Sequence, residues 1–388
     1  MRICLFTPTF FPKMGGQEMV VDQLARHYTL LGHEVVVFAQ HAHRRISKTE
    51  VKVPYRLERF TKPFSQVWGI SGVERALARF HQSWKFEILH SHSCYPTAYS
   101  ALKLCGAENI PLVVTSHGGD LAEDSRFRKR PLVMKRCRQT LNQADAVTSI
   151  SSYMTKSILE VAPECGVTLH SIPNGVDCAK LGEKVLDPPP VATRNDLKPD
   201  CFALFLGRLH RRKGVEVLLQ AFHLAAEKSP ALRLVIAGDG EEMEILRSQA
   251  EQTGLADRIH FVGGVQGANK IWLLQNTQFL VLPTPTRETF GLVLLEAMAN
   301  SKPVIGTNLG GIRDLIDHGK NGLLVQPGET VELAQAMEKL SADSALRAEM
   351  GRNAAEKARL YDWPVVTKKY ISLFENLLQK ALISPAAT

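Results

Sequence analysis

The sequence contains no run of about 18 apolar residues, so it predicts no membrane-spanning helix. Residues 1–16 include a short apolar run that Pro8 and Pro12 interrupt, and they lack the long apolar segment and cleavage site of a signal peptide. The seven cysteines are odd in number, scattered, and form no C-x-x-C pair. This pattern argues against disulfides and a zinc site, and it predicts a reducing compartment, the cytoplasm.

Three signatures of nucleotide and metal binding are also missing. Neither the P-loop pattern G-x-x-x-x-G-K-[ST] nor the dinucleotide pattern G-x-G-x-x-G occurs, which argues against an NTPase and a dehydrogenase. Gly238-Asp239-Gly240-Glu241 resembles part of the second pattern, but we interpret it as a tight turn into a helix at Glu241–Gln252. No D-x-D pair occurs, so the sequence offers no site for a divalent metal on a diphosphate, and we expect no cofactor.

Length and charge limit the architectures that this chain can adopt. The 388 residues exceed one ordinary core, and 45% apolar with 22% charged residues is typical of a globular protein, so two domains are expected. Residues 1–180 carry 23 lysines and arginines against 15 acidic residues, whereas residues 181–388 carry 24 of each. We therefore expect the first half to meet an anionic acceptor or a membrane surface rather than nucleic acid.

Short apolar runs occur throughout the chain, separated by segments with helical periodicity. They are rich in Val, Ile, Leu and Phe and do not alternate strictly, which is typical of strands buried on both faces of a parallel sheet. Repeated strand–helix alternation predicts an α/β fold with two Rossmann-like, doubly wound domains. The predicted strands are Arg2–Phe6, Glu34–Phe38, Phe86–His90, Leu112–Thr115, Ala146–Ile150, Leu169–Ile172, Phe202–Leu206, Leu232–Ala237, Ile259–Val262, Phe279–Leu282, Pro303–Gly306 and Leu323–Val325.

The predicted domain boundary lies in a proline-rich stretch. Residues 1–178 are expected to form the first domain and residues 201–363 the second, joined by an extended linker at 179–200 that contains Pro188-Pro189-Pro190. Trp363-Pro364 interrupts a helical pattern, because proline ends or kinks a helix. We expect the last helix, residues 364–388, to return to the first domain.

The segment Pro283–Ala299 carries the strongest functional signal. It follows a predicted strand, passes through a polar loop and enters a helix at about Gly291. The N–H groups of residues 290–292 would be unpaired at that helix start, which predicts a phosphate site. Glu288 and Glu296 flank it and are expected to accept hydrogen bonds from sugar and ribose hydroxyls. Alternatively, they are a partner of the helix dipole and a solvated helix residue.

The basic loop Gly207–Gly214 follows the first strand of the second domain. Ligands of open α/β sheets bind beyond the carboxyl ends of strands, where this loop lies. Arg208 offers a planar fork and Lys213 a point charge, which together suit a diphosphate. The alternative is a loop that is basic only because it is solvated.

Three features of the first domain also follow predicted strands. Gly15-Gly16 opens a helix, where glycines let the backbone approach a ligand phosphate, although such a pair is usually only a turn. His117, beside two glycines, is placed to contact a sugar, whereas an isolated histidine is more often structural. His90-Ser91-His92 is interpreted as polar packing, because a metal site needs a third ligand.

A basic run precedes and enters a predicted helix of the first domain and explains much of the charge asymmetry. With Asp120 beside it, this run is a candidate site for a phosphorylated acceptor or an anionic membrane surface. A solvated helix face is the alternative. The candidate residues are Asp120, Arg126, Arg128, Lys129 and Arg130.

Taken together, these motifs resemble the retaining glycosyltransferases of the GT-B fold, family 4. The matching elements occur in the family's order and span most of the chain. They are Gly15-Gly16, His117-Gly118-Gly119-Asp120, Pro173-Asn174-Gly175-Val176-Asp177, Gly207-Arg208 with Lys213-Gly214, and Glu288 with Phe290-Gly291 and Glu296. The resemblance implies two Rossmann-like domains that face each other across a cleft, with the donor bound there.

The resemblance also implies a role for each residue, with His117 facing the transferred sugar. In the donor site that the resemblance implies, Arg208 and Lys213 contact the diphosphate, Glu288 contacts the sugar and Glu296 contacts the ribose. The backbone of Val262 and Gly263 contacts the base. Phosphate oxygens accept hydrogen bonds from backbone amides of the Gly15-Gly16 pair, at Gly16, and of Phe290, Gly291 and Leu292.

The implied activity is metal-independent transfer of a hexose-type sugar from a UDP- or GDP-sugar to an acceptor hydroxyl, with retention of anomeric configuration. The expected setting is synthesis of bacterial cell-surface polysaccharide, lipopolysaccharide or glycolipid. A sugar-nucleotide epimerase on the same fold and a non-catalytic nucleotide-sugar-binding subunit are the alternatives.

Overall fold

The computed structural model describes residues 1–12, 15–41, 52–60 and 70–383, which form two compact α/β units. The first unit comprises Met1–Gly175 and Trp363–Thr388, and the second comprises Val176–Asp362. Most of residues 42–62 lies outside the described residues, as does the end of the last predicted helix after residue 383.

The first unit is built on a parallel sheet whose five inner strands are mostly buried, whereas the two edge strands are largely exposed or half-buried. Its strands are β1 (Arg2–Thr7), β2 (Glu34–Gln40), β3 (Arg56–Phe60), β4 (Ile88–Ser91), β5 (Leu112–Ser116), β6 (Ala146–Ser149) and β7 (Leu169–Ser171). Its helices are α1 (Gly16–Leu30), α2 (Ile70–Ser83), α3 (Tyr99–Ala107), α4 (Pro131–Gln143) and α5 (Ser152–Val161), and α15 (Trp363–Ile383) at the end of the chain. In the described residues the strand order is β3-β2-β1-β4-β5-β6-β7.

The second unit repeats this plan. Its strands are β8 (Phe202–Leu206), β9 (Arg233–Ala237), β10 (Ile259–Gly263), β11 (Phe279–Leu282), β12 (Val304–Thr307) and β13 (Gly322–Val325). Its helices are α6 (Cys178–Leu181), α7 (Pro190–Arg194), α8 (Val215–Lys228), α9 (Met243–Gln252), α10 (Gly267–Asn276), α11 (Leu292–Ala299), α12 (Ile312–Leu315), α13 (Thr330–Ala342) and α14 (Ser344–Arg359). The strand order is β10-β9-β8-β11-β12-β13, all parallel, so the predicted fold class is confirmed.

Strand β3 is the element that the sequence patterns missed. It pairs with β2 at the edge of the first sheet, with Val36 opposite Arg56 and Gln40 opposite Phe60. Only Phe60 of its five residues is buried. An edge strand covered on one side needs no continuous apolar run, so the pattern of a doubly buried strand does not detect it.

The proline-rich stretch is not an extended linker. Residues 190–194 form the short helix α7, because Pro190 occupies its first turn, where a missing N–H costs nothing. The stretch packs on α10: the Val191 N–H donates to Asn269 Oδ1 over 3.1 Å, and the Gln275 amide donates to the carbonyls of Leu181 and Glu183. It therefore belongs to the second unit.

Helix α15 closes the first unit. Pro364 is the second residue of the helix and starts it rather than kinking it. Phe374 of α15 packs edge-on against Tyr28 of α1, with ring centroids 5.7 Å apart. Within the residues that the structure covers, no helix combines the length and the apolar character needed to cross a membrane.

Candidate active site

The two strongest sequence signals lie on neighbouring loops of the second unit. Strand β8 pairs with β9 on one side and with β11 on the other, so the strand order reverses between β8 and β11. In a doubly wound sheet the connections diverge at such a point and leave a crevice at the carboxyl edge. The loops Gly207–Gly214 and Pro283–Gly291 leave β8 and β11 at this edge.

A glycine and a threonine lock these two loops together. Gly214 has a positive φ of +70°, and a Cβ at this position would lie 2.2 Å from the Pro283 carbonyl oxygen. Only glycine permits both the conformation and the close approach. Thr284 Oγ1 donates to the Arg212 carbonyl over 2.5 Å. These contacts fix the backbone on both sides of Lys213.

A third loop, which follows β12, holds the backbone of Glu288. The Gly311 N–H donates to the Glu288 carbonyl over 2.8 Å. A Cβ on Gly310 would lie 2.3 Å from that same oxygen, and a Cβ on Gly311 would lie 2.3 Å from the Thr289 carbonyl. The glycine pair therefore allows a packing that no other residue permits, and it restricts where the Glu288 carboxylate can lie.

Lys213 and Glu288 meet in an ion pair. Lys213 Nζ lies 2.5 Å from Glu288 Oε2, although the two residues are 75 positions apart in the chain. The side chains are 29% and 21% exposed, so solvent screens them less than a surface pair. An ammonium group has three donors, and this contact uses one of them. The lysine thus retains donors for an anionic ligand beside the start of α11.

The start of α11 offers further donors. Gly291 has φ +95° and precedes the first helical residue, Leu292. Among the described residues, none accepts a hydrogen bond from the backbone N–H of Phe290, Gly291 or Leu292. Free N–H groups and the helix dipole together favour a negative group at this position.

Arg208 is exposed, and its guanidinium makes no hydrogen bond or ion pair with a described residue. The backbone of its loop is nevertheless fixed by the turn between β9 and α9. A Cβ on Gly238 would lie 1.8 Å from the Gly207 carbonyl oxygen, and one on Gly240 would lie 2.0 Å from the Leu209 carbonyl oxygen. The basic loop therefore packs so closely against this turn that the turn needs glycine at both positions. Helix α9 begins after the turn, at Met243, and not at Glu241 as the sequence predicted.

Glu296 is buried and paired with a lysine that the sequence patterns did not indicate. Lys270 Nζ, on α10, lies 2.6 Å from Glu296 Oε1. The other oxygen, Oε2, is buried and has no partner among the described residues. A buried acceptor without a donor is rare in proteins and indicates a ligand or water site. The interpretation of Glu296 as a solvated helix residue is wrong, because the residue is only 9% exposed.

The residues expected at the nucleotide base lie at the end of β10. Gly263 has φ +72° and accepts a hydrogen bond from the Gly238 N–H over 2.8 Å. Asp239 Oδ2 accepts one from the Gly264 N–H over 2.9 Å. Both Val262 and Gly263 remain partly exposed, so a ligand can reach their backbone.

The glycine pair of the first unit starts α1 as expected, but next to a buried carboxylate. Helix α1 begins at Gly16, and a Cβ on Gly15 would lie 2.8 Å from Glu18 Oε2. Glu18 is 5% exposed, and its Oε1 accepts a hydrogen bond from Thr9 Oγ1 over 2.5 Å. A phosphate at this helix start would lie near a negative group, in contrast to one at α11.

His117 lies in a loop that a buried aspartate holds together. Asp120 is 4% exposed and accepts hydrogen bonds from Ser116 Oγ over 2.5 Å, from Ser93 Oγ over 3.1 Å and from the Cys94 N–H over 2.5 Å. Its carboxylate therefore joins the loop after β5 to the segment after β4. His117 is partly exposed at the carboxyl edge of the sheet.

Two fully buried histidines lie behind His117. His92 Nδ1 lies 3.0 Å from His117 Nε2, and His90 Nε2 lies 2.7 Å from Thr115 Oγ1. Burial, reinforced by the neighbouring imidazoles, lowers the pKa of His90 to about 3 and that of His92 well below its usual value. Burial also lowers the pKa of His117 to about 4. All three rings are therefore neutral at pH 7.

The residues of the predicted basic patch have different environments. Arg128 is used within the fold: its guanidinium donates to the carbonyls of Leu121 and Ser157 and pairs with Glu160 over 3.2 Å. The other three cations are exposed, and among the described residues their side chains have no hydrogen-bond or ion-pair partner. They are Arg126, Lys129 and Arg130.

Comparisons with known proteins show which family this chain belongs to. The model of the family described as Glycosyl transferases group 1 matches residues 194–357, and that of Glycosyltransferase Family 4 matches residues 14–180. A phosphatidyl-myo-inositol mannosyltransferase of Mycobacterium leprae is 30% identical over 386 residues, which cover 97% of each chain. An N-acetyl-alpha-D-glucosaminyl L-malate synthase of Bacillus anthracis is 27% identical and covers 96% of each chain.

Solved structures share the two-domain fold at lower identity. HepE of Anabaena, solved in complex with UDP, superposes with a TM-score of 0.81 at 19% identity and covers 97% of this chain and 100% of its own. A sucrose-phosphate synthase from Thermosynechococcus elongatus has a TM-score of 0.83 at 23% identity, covering 98% and 99%.

Proposed function

This chain belongs to the glycosyltransferases of group 1 and family 4, and we propose that it transfers a hexose-type sugar from a UDP- or GDP-sugar to an acceptor hydroxyl with retention of anomeric configuration. The observation that carries the proposal is the ion pair between Lys213 and Glu288 beside the unpaired N–H groups at the start of α11. One place thus offers a cation and helix donors for a diphosphate and a carboxylate for sugar hydroxyls.

The names of similar proteins support the substrate classes. Relatives include a mannosyltransferase that acts on phosphatidyl-myo-inositol, and HepE was solved with UDP and with UDP-glucose. A nucleoside diphosphate sugar is therefore a reasonable donor for this chain. The acceptor that we propose is lipid-linked or phosphorylated, because the exposed cations Arg126, Lys129 and Arg130 lie in the first unit.

In the proposed reaction the bond between the anomeric carbon and the diphosphate breaks while a bond from the acceptor oxygen forms on the same face. The acceptor proton passes to the leaving diphosphate. Negative charge grows on the diphosphate, so fixed donors that face it lower the barrier. We assign this role to Lys213, to the N–H groups at the start of α11 and to Arg208. These cations supply the charge stabilisation, so we propose that the reaction needs no metal.

The second carboxylate is assigned to the nucleoside. Lys270 holds one oxygen of Glu296, while the buried Oε2 has no partner among the described residues. A ribose hydroxyl at Oε2 would donate the missing hydrogen bond. Since a site built to pair with a hydroxyl rejects an analogue that lacks it, a 2′-deoxy or 3′-deoxy donor is expected to bind less well.

A donor screen tests the proposal. The purified protein is incubated with UDP-, GDP- and ADP-sugars in EDTA, with and without glycolipid or phosphorylated acceptors, and products are followed by ¹H NMR. We expect slow hydrolysis of one donor alone and faster transfer with an acceptor, the product keeping the anomeric configuration of the donor. Conversion of the donor sugar without acceptor would indicate an epimerase, and binding without turnover of any donor would indicate a binding subunit. An inverted product would disprove retention.

A further inference from the structure

The contact between His92 and His117 joins two neighbouring strand ends of the first unit. Strands β4 and β5 are paired, with Ser91 opposite Val114, so the residues that follow them are neighbours. His92 Nδ1 and His117 Nε2 are 3.0 Å apart, and the two rings are nearly parallel at 19°. In the described part of the chain, no group of three or more His, Cys, Asp or Glu side chains is placed to hold a metal ion. The 3.0 Å separation of the two nitrogens makes this contact a hydrogen bond between two imidazoles.

Only one of the two nitrogens in this contact can carry the proton. His92 is fully buried and His117 is mostly removed from solvent, and burial lowers the pKa of each, so both rings are neutral at pH 7. A neutral imidazole has one N–H donor and one bare acceptor nitrogen. Either His92 donates to His117, or the reverse.

The far side of the His92 ring decides between these arrangements. His92 is fully buried, and its Nε2 has no partner among the described residues. If His92 accepted at Nδ1, its proton would lie on Nε2 as a buried N–H without an acceptor. Orphaned buried donors are rarer than under-satisfied acceptors. The favoured arrangement therefore has the proton on His92 Nδ1, which donates to His117 Nε2.

We infer that His92 is a positioning residue that fixes His117 as its Nδ1–H tautomer, so that His117 presents a neutral N–H donor at the carboxyl edge of the first sheet. The bonded Nε2 of His117 is an acceptor, so the proton of the neutral ring lies on Nδ1. His117 Nδ1 has no hydrogen-bond partner among the described residues and is not one of the buried unpaired atoms. It is therefore open to a ligand.

The surroundings keep the His92 ring in place. His90 lies against it with ring centroids 4.2 Å apart, and His90 is itself held by its hydrogen bond to Thr115. Asp120 fixes the backbone on the other side of the contact. A ligand oxygen that accepts from His117 fits this donor, and a sugar hydroxyl is that ligand if the proposed glycosyl transfer holds.

Nitrogen NMR tests the inference without any donor. Protein labelled with ¹⁵N-histidine at pH 7.5 reports which ring nitrogen of each histidine carries the proton, and His117→Gln and His92→Asn spectra identify the two rings. We expect His117 and His92 both as Nδ1–H forms, in a ratio of at least about 10 over Nε2–H, which corresponds to about 1.4 kcal/mol. An Nε2–H form of His117 in the unaltered protein would overturn the inference.

A pair of variants tests the cause. His92→Phe keeps a ring but removes the donor, so the tautomer ratio of His117 is expected to fall by about tenfold, to near equality. The control is His33→Gln, which alters a partly exposed histidine of the first unit outside this contact and should leave the ratio unchanged. A ratio that is the same in His92→Phe as in the unaltered protein would also overturn the inference. If His92→Phe fails to fold, the spectrum of the unaltered protein decides alone.

The inference and the proposed function can fail separately. An Nδ1–H form of His117 in a protein that turns over no sugar nucleotide would keep the inference and remove the transferase. An Nε2–H form in an active transferase would do the opposite.

Discussion

The two units share one sheet plan but hold the polar groups at their strand ends in different ways. The second unit uses partly buried ion pairs, Lys213 with Glu288 and Lys270 with Glu296. The first unit uses neutral imidazoles that contact each other, and hydroxyls that donate to the buried carboxylates Glu18 and Asp120. The carboxyl edge of the sheet therefore carries charged pairs in the second unit and mostly neutral hydrogen-bonding groups in the first.

The largest expected effect is on catalysis, through Lys213. Lys213→Ala removes the cation at the start of α11 and leaves Glu288 as an uncompensated negative charge. Losing one fixed donor to a developing charge costs about 3–4 kcal/mol, so we expect turnover to fall by about 10²–10³. Steady-state kinetics with the donor found in the screen measures this fall.

Lys228→Ala is the matched control for that variant. Lys228 also pairs with a glutamate, Glu338, over 3.1 Å, but its side chain is 72% exposed and it is the last residue of α8. An exposed pair contributes little, so turnover should stay within about twofold. Equal losses in the two variants would remove the distinction between the site pair and an ordinary surface pair.

The second effect is on stability, through Lys270. Lys270→Met leaves the buried Glu296 carboxylate without a partner, which we expect to lower the free energy of unfolding of the second unit by about 3 kcal/mol. Adding Glu296→Leu removes the unpaired charge and should restore most of that loss. Hydrogen exchange followed by mass spectrometry reports both units in one experiment.

Exchange of first-unit peptides is the internal control for Lys270→Met, because its own contacts are unchanged. If the double variant regained stability but lost donor binding, the Lys270–Glu296 pair would be needed for binding the ligand and not for folding. Unaltered exchange in Lys270→Met would show that Glu296 needs no cation.

The third, smaller effect is a difference between the two units in how their stability depends on pH. The histidines whose pKa burial lowers in the described first unit are His33, His81, His90, His92, His117 and His170, whereas in the second unit it is His260. In the unfolded chain these histidines bind protons below about pH 6.5, whereas in the native protein their rings stay neutral until the pH is lower. First-unit stability is therefore full above pH 6.5 and falls as the pH drops towards 4.

Exchange rates at pH 7.5, 6 and 5, corrected for intrinsic exchange, measure this difference. We expect protection to fall more in the first unit than in the second. If acid lowered protection equally in the two units, the contrast between neutral histidines in the first unit and ion pairs in the second would be wrong.

The effect that is smallest per residue concerns the exposed cations of the first unit. Changing Arg126, Lys129 and Arg130 to glutamine should weaken binding to anionic vesicles by about 1 kcal/mol per residue at low salt, if the acceptor surface is a membrane. Vesicle pelleting with phosphatidylserine and with phosphatidylcholine alone measures it. Binding that does not differ between the two lipids would leave a phosphorylated acceptor as the ligand of this patch.

The sequence alone predicted most of the sheet and the ends of strands that carry chemistry. Buried parallel strands require continuous apolar runs, and glycine is required where loops approach closely, as at Gly214 against Pro283. Each of these requirements involves only a few neighbouring residues, so the sequence reveals them. The edge strand β3 was missed because its exposed side does not require apolar residues.

Partners were decided by the tertiary structure. Glu296 meets Lys270 across 26 positions, and His92 meets His117 across 25, because α11 approaches α10 and β4 pairs with β5. Nothing local marks either pairing, since a lysine on a helix or a histidine after a strand is compatible with many environments. Strand-end position follows from sequence periodicity, whereas the partner, burial and protonation of each side chain follow from what folding packs against it.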